Sequence, residues 1–214
     1  VSLSAFASTL VSVLILERVA RWRGGSTLGV VLFGIALVYS FQALIMLLQF
    51  VASEEALQGI VFWTMGNLGR ASWGSVAALA VALACVLPWS MRDAWQLTAV
   101  RLGEERAASL GVDLKRLRMV SLLRVSALTA LAVSIVGTIG FVGLVAPHIA
   151  RMLLGEDHRF YLPGSTLAGA LILSGASIAS KTLLSGALIP VGIVTSLVGI
   201  PFFLAIVVRT LRKQ

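Results

Sequence analysis

Long uncharged stretches alternate with short charged segments along the whole chain. With His counted as neutral, the uncharged runs are Val1–Leu16, Gly24–Ser53, Ala71–Met91, Val125–Ala150, Phe160–Ser180 and Thr182–Val208. Most of them reach the roughly 20 residues that a helix needs to cross a hydrocarbon layer about 30 Å thick. Leu, Ala, Val and Gly fill these runs without the every-second-residue alternation of a transmembrane β-strand. The pattern therefore predicts an all-α, polytopic transmembrane helical bundle.

The composition agrees with this prediction. Of the 214 residues, 58% are hydrophobic and 12% are charged, whereas soluble domains have about 45–50% and about 25%. A water-soluble globule is therefore excluded. The formal net charge of +8 would also suit a protein that binds nucleic acid. The cations, however, are concentrated in the segments between the uncharged runs, so we expect a lipid bilayer and no nucleic acid as the partner.

The basic residues between the predicted spans form four clusters, at residues 18–23, 92–124, 151–159 and 209–213. Lys and Arg are enriched in short cytoplasmic loops, so we place all four clusters on the cytoplasmic side of the membrane. Each interval between clusters then contains an even number of crossings, which gives about seven spans in total. After the first run, the predicted crossings are Thr27–Phe50, Ser75–Leu97, two within residues 119–150, Leu162–Leu184 and Val191–Thr210.

Two parts of this topology need separate arguments. The run Val1–Leu16 would cross inward and Val1 is not an initiator Met, so we expect the sequence to be part of a longer protein. The interval between Arg118 and Arg151 would form about 48 Å of helix, which is long for one crossing and short for two. We place two crossings there, with a re-entrant segment in 119–154 as the alternative. Several residues near its middle permit a reversal, namely Gly137, Gly140, Gly143 and Pro147.

One charged segment, which we call the 99–118 loop, has the pattern of two short helices joined by a glycine turn. Glu104 and Glu105 lie where a first helix would begin, and the helix dipole favours anions there. Gly111 has the position of a glycine that ends this helix, and Asp113 that of the N-cap of the next. Two hypotheses fit the segment: an amphipathic hairpin on the inner leaflet, or a docking element for a cytoplasmic protein.

The sequence offers little catalytic chemistry. It contains no G-x-x-x-x-G-K-[ST] motif, so we expect any ATP to be bound by a partner subunit. Cys85 is the single cysteine, and we expect it to be a small buried apolar side chain. His148 and His158 have no third ligand at metal-binding spacing. We therefore expect a protein that is not an enzyme and has neither a metal nor a cofactor of its own.

Three segments strongly resemble the FecCD-type permeases of ABC importers, which carry ferric siderophores, haem or cobalamin. The segments are LGEERAASLGV at 102–112, GTIGFVGLVAPHIARMLLGEDHRFYLPGSTLAGALIL at 137–173 and IPVGIVTSLVGIPFFL at 189–204. The resemblance extends over essentially the whole chain. It implies a single, partial permease domain at 1–214 that holds the later seven of the family's ten spans. It also implies that the 99–118 loop is the cytoplasmic coupling loop.

The resemblance also implies roles for individual residues. Lys181 would contact the substrate-binding protein, with snorkelling to the membrane surface as the alternative. Ser26 and Thr27 would lie at the cytoplasmic gate, where either could also cap the next helix. The residues implied to couple to the ATPase are Gly103, Glu104, Glu105, Ala107, Ala108 and Gly111. Those implied at the outer end of the transport pathway are Met65, Gly66 and Asn67.

The function that follows from the resemblance is import of a ferric siderophore from periplasm to cytoplasm, with haem or cobalamin as alternative cargo. The implied partners are cytoplasmic ATP-binding subunits, a periplasmic or lipid-anchored substrate-binding protein, and a second permease copy or related half. Two hypotheses come from other classes: an ion-coupled secondary transporter and a noncatalytic membrane anchor. The first is disfavoured because such carriers often need intramembrane carboxylates. The residues do not distinguish between the chelates, or between a homodimer and a heterodimer.

Overall fold

The computed structural model describes residues 27–183 and 189–211, together with seven isolated positions between 4 and 18. Within this part the regular structure is entirely helical, with a single 3-10 turn at Leu68–Arg70. The α-helices are α1 Thr27–Val51, α2 Glu54–Thr64, α3 Trp73–Arg92, α4 Ala94–Val100, α5 Glu104–Ser109, α6 Leu114–Val136, α7 Val142–Leu154, α8 His158–Thr182 and α9 Val191–Leu211. The prediction of an all-α bundle is confirmed.

Four helices are long and apolar enough to cross a membrane: the Leu32–Val51 part of α1, and α3, α6 and α8. Two further apolar helices, α7 and the Val191–Ile206 part of α9, are shorter. Many large apolar side chains on these helices are exposed, as expected where lipid or another subunit covers a helix. Only six of the 16 residues of the first predicted crossing, Val1–Leu16, are among the described residues.

Residues 119–154 form two helices, as predicted, but the second is short. α6 has 23 residues and is therefore about 35 Å long, which is a full crossing. The helix ends at Gly137, whose φ of 77° and ψ of −166° are accessible mainly to glycine. α7 has 13 residues and is only about 20 Å long. The two predicted crossings are thus unequal, because α7 reaches the length of α6 only together with the non-helical residues 137–141, and the choice between a second crossing and a re-entrant segment stays a prediction.

The prediction of one crossing over Ser75–Leu97 is wrong at its C-terminal end. α3 ends at Arg92, and α4 follows after Asp93. The Asp93 carboxylate lies 2.6 Å from the guanidinium of Arg124 on α6. The helix is therefore interrupted at Asp93, the residue that links α3 to α6 through this ion pair. α4 is a separate helix that leads into the 99–118 loop.

α8 lies at the centre of the described bundle. It packs most extensively against α7 and also contacts α9, α4 and α3. A turn of only three residues joins α7 to α8, so the two helices form an antiparallel hairpin. Small residues let them approach closely: a Cβ on Gly169 would lie 3.6 Å from the methyl group of Ala146, and a Cβ on Gly164 would meet the side chain of Leu154. The hairpin is therefore a tightly packed unit.

Candidate functional site

The 99–118 loop has the predicted helix–glycine–helix structure. Its first helix, α5, begins at Glu104, directly after Gly103, which has a φ of 109°. Gly111 follows the end of α5 with a φ of 84°, as expected for a glycine that ends a helix. Asp113 caps α6 by accepting a hydrogen bond from the Arg116 N–H at 3.0 Å. These local predictions are confirmed.

One part of the prediction for this loop is wrong. The second helix was expected to be short, but Asp113 caps α6, which continues for 23 residues as a full span. The 99–118 loop is therefore connected without a break to a membrane-spanning helix. Any displacement of the loop would act directly on α6.

A small apolar core holds the 99–118 loop together. It consists of Ala99, Ala107, Val112 and Leu117, packed against the partly buried Leu97, Val100 and Leu114. Ala107 at its centre is 0% exposed. The Val112 N–H donates to the Ala107 carbonyl at 3.1 Å, which folds the chain back over the end of α5. The loop is thus a compact structural unit with its own interior.

The other residues predicted to couple to the ATPase form the outer surface of this unit. They are Gly103, Glu104, Glu105, Ala108 and Gly111, and all are exposed. Glu104 forms an ion pair with Arg118, and the exposed Leu102 and Leu110 lie on the same unit. A Cβ added to Gly103 or Gly111 would meet nothing within 4 Å. The structure therefore divides the predicted residues into one buried core residue, Ala107, and five surface residues.

Sequence analysis missed the role of Arg124, which it grouped with the cytoplasmic cations. The Arg124 side chain is only 5% exposed and forms an ion pair with Asp93. Its guanidinium carbon lies 4.3 Å from the centre of the Trp89 ring, a cation–π arrangement. A pocket of about 310 Å³ lies beside this pair, lined also by Gln96, Gly111, Asp113, Arg116, Leu117 and Val120. An isolated Arg in the third turn of an apolar helix was the signal that could have indicated a buried pair.

Met65, Gly66 and Asn67 lie at the opposite end of α6 from the 99–118 loop. The Asn67 N–H donates to the Val136 carbonyl at 2.8 Å, and the Gly192 N–H donates to the Met65 carbonyl at 3.2 Å. The non-helical segments 65–67 and 137–141 and the start of α9 at 189–192 therefore meet at one place, which we call the outer junction. The three predicted pathway residues are thus brought together with the ends of α6 and α9.

Backbone approaches backbone at the outer junction. The Thr138 hydroxyl donates to the Thr64 carbonyl at 2.5 Å. A Cβ on Gly66 would lie 2.5 Å from the Thr138 carbonyl oxygen, and a Cβ on Gly137 would meet the Trp63 carbonyl oxygen. The glycines are therefore required by close packing of the chain, whatever further part the junction plays.

Lys181 is exposed at the C-terminal end of α8. The neighbouring Ser180 is 4% exposed and is hydrogen-bonded to Ile189 in both directions: its hydroxyl donates to the Ile189 carbonyl at 2.5 Å, and its carbonyl accepts from the Ile189 N–H at 3.3 Å. These bonds fix the position of Lys181 relative to the start of α9. The geometry suits either a contact with another protein or a lysine at the membrane surface.

The remaining predicted positions have less structural detail. Ser26 lies outside the described residues, and Thr27 is the first helical residue of α1, so its predicted role as a gate or cap is untested. The side chain of Cys85 is exposed, which contradicts the expectation that it is buried. It lies on α3, where lipid or a neighbouring subunit would cover it. Among the described residues, no three His, Cys, Asp or Glu side chains are placed to hold a metal ion together.

Comparisons with known proteins agree with this architecture. The chain is 37% identical to the hemin transport system permease protein of Yersinia pestis over 98% of its own length and 63% of the relative's. It is 38% identical to the vitamin B12 import system permease protein of Vibrio vulnificus, over 97% of its own length and 62% of the relative's. The chain thus spans a little over three-fifths of these relatives.

A solved structure has the same fold. It is an inward-facing conformation of an ABC transporter of the metal-chelate type, which matches with a TM-score of 0.83 and 32% identity over 97% of this chain and 71% of that one. The profile of the FecCD transport family matches residues 1–209. On this match and the identities above, the chain belongs to the FecCD transport family.

Proposed function

We propose that this chain is part of the permease subunit of an ATP-driven ABC importer, which moves a ferric siderophore from periplasm to cytoplasm across a bacterial inner membrane. Membership of the FecCD family supports the transport role, and the metal-chelate type of the related solved transporter supports the cargo. Haem and cobalamin are the alternatives, because relatives of similar identity are named for hemin and vitamin B12.

The observation that carries the proposal is the build of the 99–118 loop. An amphipathic hairpin on a leaflet would need a continuous apolar face turned toward the lipid. Here the apolar residues Ala107, Val112 and Leu117 are buried inside the loop itself. The surface instead combines charged residues with the exposed Leu102 and Leu110. A folded knob with a mixed apolar and charged surface is better suited to a protein cleft than to lipid.

The mechanism we propose is alternating access driven by two cytoplasmic ATP-binding subunits. The 99–118 loop would sit in a cleft of one such subunit and move when the pair closes around ATP. Since the loop continues into α6 through Asp113 and adjoins α3 through α4, both spans would be displaced with it. In this proposal the chain itself binds no ATP and no cofactor.

The outer residues have corresponding proposed roles. Lys181 would receive a carboxylate of the periplasmic or lipid-anchored substrate-binding protein. Met65, Gly66 and Asn67 would form the outer end of a pathway between this permease and a second copy or related half. Ser26 and Thr27 would lie at the cytoplasmic gate.

The charge distribution favours this proposal over an ion-coupled carrier. In the described part of the chain, every acidic residue lies in a loop or within one residue of a helix end. Carriers driven by protons or sodium commonly place carboxylates near the middle of the membrane. The energy is therefore better supplied by an ATPase partner.

Uptake by cells that carry the full-length permease with its partners tests the proposal. We expect labelled ferric hydroxamate or ferric catecholate to accumulate, and haem or cobalamin to accumulate if the alternative holds. Equal uptake of all four with and without the permease would refute the transport role.

A paired substitution tests the docking surface. Gly111→Leu places a side chain in the open space beside the loop, and we expect it to reduce recovery of the ATP-binding subunit with the permease. Gly155→Leu is the matched control, because Gly155 also has a positive φ and open surroundings but lies in the turn between α7 and α8. Equal recovery with the two variants would mean that the loop is not the ATPase contact.

A further inference from the structure

The 99–118 loop is continuous in sequence with α3, α4 and α6, but its route to the α7–α8 hairpin through the chain is indirect. The only covalent path runs up α6 and through residues 137–141. Gly137 and Phe141 there both have positive φ values. A non-helical segment of this kind transmits an axial push less directly than a continuous helix. A direct contact would therefore be needed to move α7 and α8 with the loop.

Such a contact exists at the turn between α7 and α8. Arg101, which follows α4, forms an ion pair with Glu156 in this turn at 2.6 Å. Thr98 of α4 is hydrogen-bonded to His158, the first residue of α8. We call the set Thr98, Arg101, Glu156 and His158 the interloop contact. It joins α4 to the start of α8, two elements that also pack against each other.

The Thr98 hydroxyl takes part in three hydrogen bonds, two of them with His158. The Thr98 hydroxyl donates to the Ala94 carbonyl at 2.8 Å and accepts from the His158 N–H at 3.0 Å. Nδ1 of the His158 ring lies 3.1 Å from the same oxygen. A hydroxyl has only one hydrogen, so with that hydrogen directed at the Ala94 carbonyl the Thr98 oxygen accepts from Nδ1 in the Nδ1–H tautomer of His158. The arrangement therefore fixes both the backbone and the ring of the first residue of α8.

The ion pair adds a bond that breaks and re-forms more easily. Arg101 and Glu156 are partly exposed, at 33% and 54% of the side chain. Arg151 also approaches the same Glu156 oxygen, at 3.8 Å. An exposed pair such as this contributes little to stability. The pair matters instead for movement, because it links the 99–118 loop to the α7–α8 turn and so determines whether the two move together.

We propose that the interloop contact transmits the displacement of the 99–118 loop to the α7–α8 hairpin, with Arg101 and Glu156 as positioning residues. This inference rests on the proposed coupling of the loop to an ATPase. α8 is a helix of 25 residues, about 37 Å long. It carries the displacement from His158 to Ser180 and Lys181, and α7 carries it to the outer junction. Loop movement thereby reaches the outer face by a route independent of α6.

Parallel measurement of ATP hydrolysis and uptake tests this proposal, with the full-length permease, its ATP-binding subunits and its binding protein in proteoliposomes. Glu156 lies outside the 99–118 loop, so we expect Glu156→Gln to retain the ATP-binding subunit and to hydrolyse ATP at the wild-type rate. Arg101→Gln is the reciprocal variant, and its uptake is likewise expressed per ATP hydrolysed. Uptake per ATP should fall by about fivefold or more, the range of an ordinary coupling energy. Arg159→Gln is the control, because Arg159 is an exposed cation close to the same turn and outside the interloop contact.

A charge exchange separates transmission from simple structural support. The double variant Arg101→Glu/Glu156→Arg should restore at least half of the wild-type uptake per ATP, while all variants melt at the wild-type temperature. The proposal is overturned if both single variants transport like wild type, or if the exchanged pair remains as uncoupled as the single variants. Failure of the proposed function looks different, since the wild-type permease would then retain no ATP-binding subunit or take up none of the four cargoes.

Discussion

At the scale of single residues, the described glycines that have a positive φ fall into two groups with different reasons for being glycine. Gly66 and Gly137 combine a positive φ with backbone atoms of another segment at the place where a Cβ would be. Gly103, Gly111 and Gly155 also have positive φ values but face open space. Substitution in the first group must shift the backbone at the outer junction, whereas substitution in the second group costs only conformational strain.

Gly137→Ala is therefore predicted to destabilise the protein. The combination of φ 77° and ψ −166° at this position is close to exclusive to glycine, and the added methyl group meets the Trp63 carbonyl. We expect a loss of about 2 kcal/mol or more, measured as a lower melting temperature of the purified permease. Gly143→Ala is the control, because Gly143 lies in α7 with nothing within 4 Å. A Gly137→Ala protein as stable as Gly143→Ala would contradict the packing at the outer junction.

The buried ion pair gives a second prediction at this scale. Removal of one partner leaves an uncompensated charge, so Asp93→Ala should cost roughly 3 kcal/mol. The double variant Asp93→Ala/Arg124→Met should recover most of this loss, because no charge then remains buried. Thermal unfolding of the wild type and the variants measures both effects. A double variant less stable than Asp93→Ala alone would mean that Arg124 acts through Trp89 and not through the pair.

At the scale of elements, the 99–118 loop contains two kinds of residue: buried ones that stabilise its fold and exposed ones that are available to a partner. Ala107 and Ala108 are adjacent in sequence, yet one is fully buried and the other exposed. The helical period turns neighbouring side chains by about 100°, which places Ala107 in the loop core and Ala108 on the surface. Adjacent substitutions can therefore distinguish folding of the loop from its contact with a partner.

Ala107→Leu should unfold the loop, since the core has no space for three further carbons and overpacking costs about 1–3 kcal/mol. Backbone hydrogen exchange across residues 99–118 should then increase. Ala108→Leu should leave exchange unchanged but reduce recovery of the ATP-binding subunit. Increased exchange with Ala108→Leu, or unchanged exchange with Ala107→Leu, would contradict this division of the loop.

Local signals in the sequence predicted where the helices begin and end around the 99–118 loop, but they did not predict how long the helices are. The acidic start at Glu104, the glycine at 111 and the cap at Asp113 each act within one helical turn, so the sequence could identify them. The long continuation of α6 and the short α7 depend on contacts between distant segments, such as the hydrogen bond from Asn67 to Val136. Arg124 was misplaced for the same reason, since its partner Asp93 lies 31 positions away in the sequence.

At the scale of the whole molecule, the two ends of the bundle differ: one end is rich in Arg, and at the other end the outer junction brings backbone segments into close contact. The 99–118 loop contains Arg101 and Arg106, and Arg151 and Arg159 lie in the helices on either side of the α7–α8 turn. The positive-inside rule places this end of the bundle in the cytoplasm. The outer junction lies at the far end of α6, and α8 connects the turn with Lys181. If this orientation is correct, movement produced at the basic end is delivered to the end that receives the cargo.

Accessibility of single cysteines tests this orientation directly, in a Cys85→Ser background because Cys85 is exposed. We expect Arg106→Cys and Arg159→Cys to react with a membrane-impermeant maleimide only after the cells are permeabilised. Glu55→Cys and Lys181→Cys should react in intact cells, since an even number of crossings separates Glu55 from Lys181 while an odd number separates each from the basic end. The ion pair between Arg101 and Glu156 at 2.6 Å places the α7–α8 turn at the same end of the bundle as the 99–118 loop, so this parity does not require α7 to cross alone. Labelling of Arg106→Cys and Lys181→Cys from the same side would mean that the loop and the docking lysine cannot face an ATPase and a binding protein respectively, and the proposed importer would be ruled out.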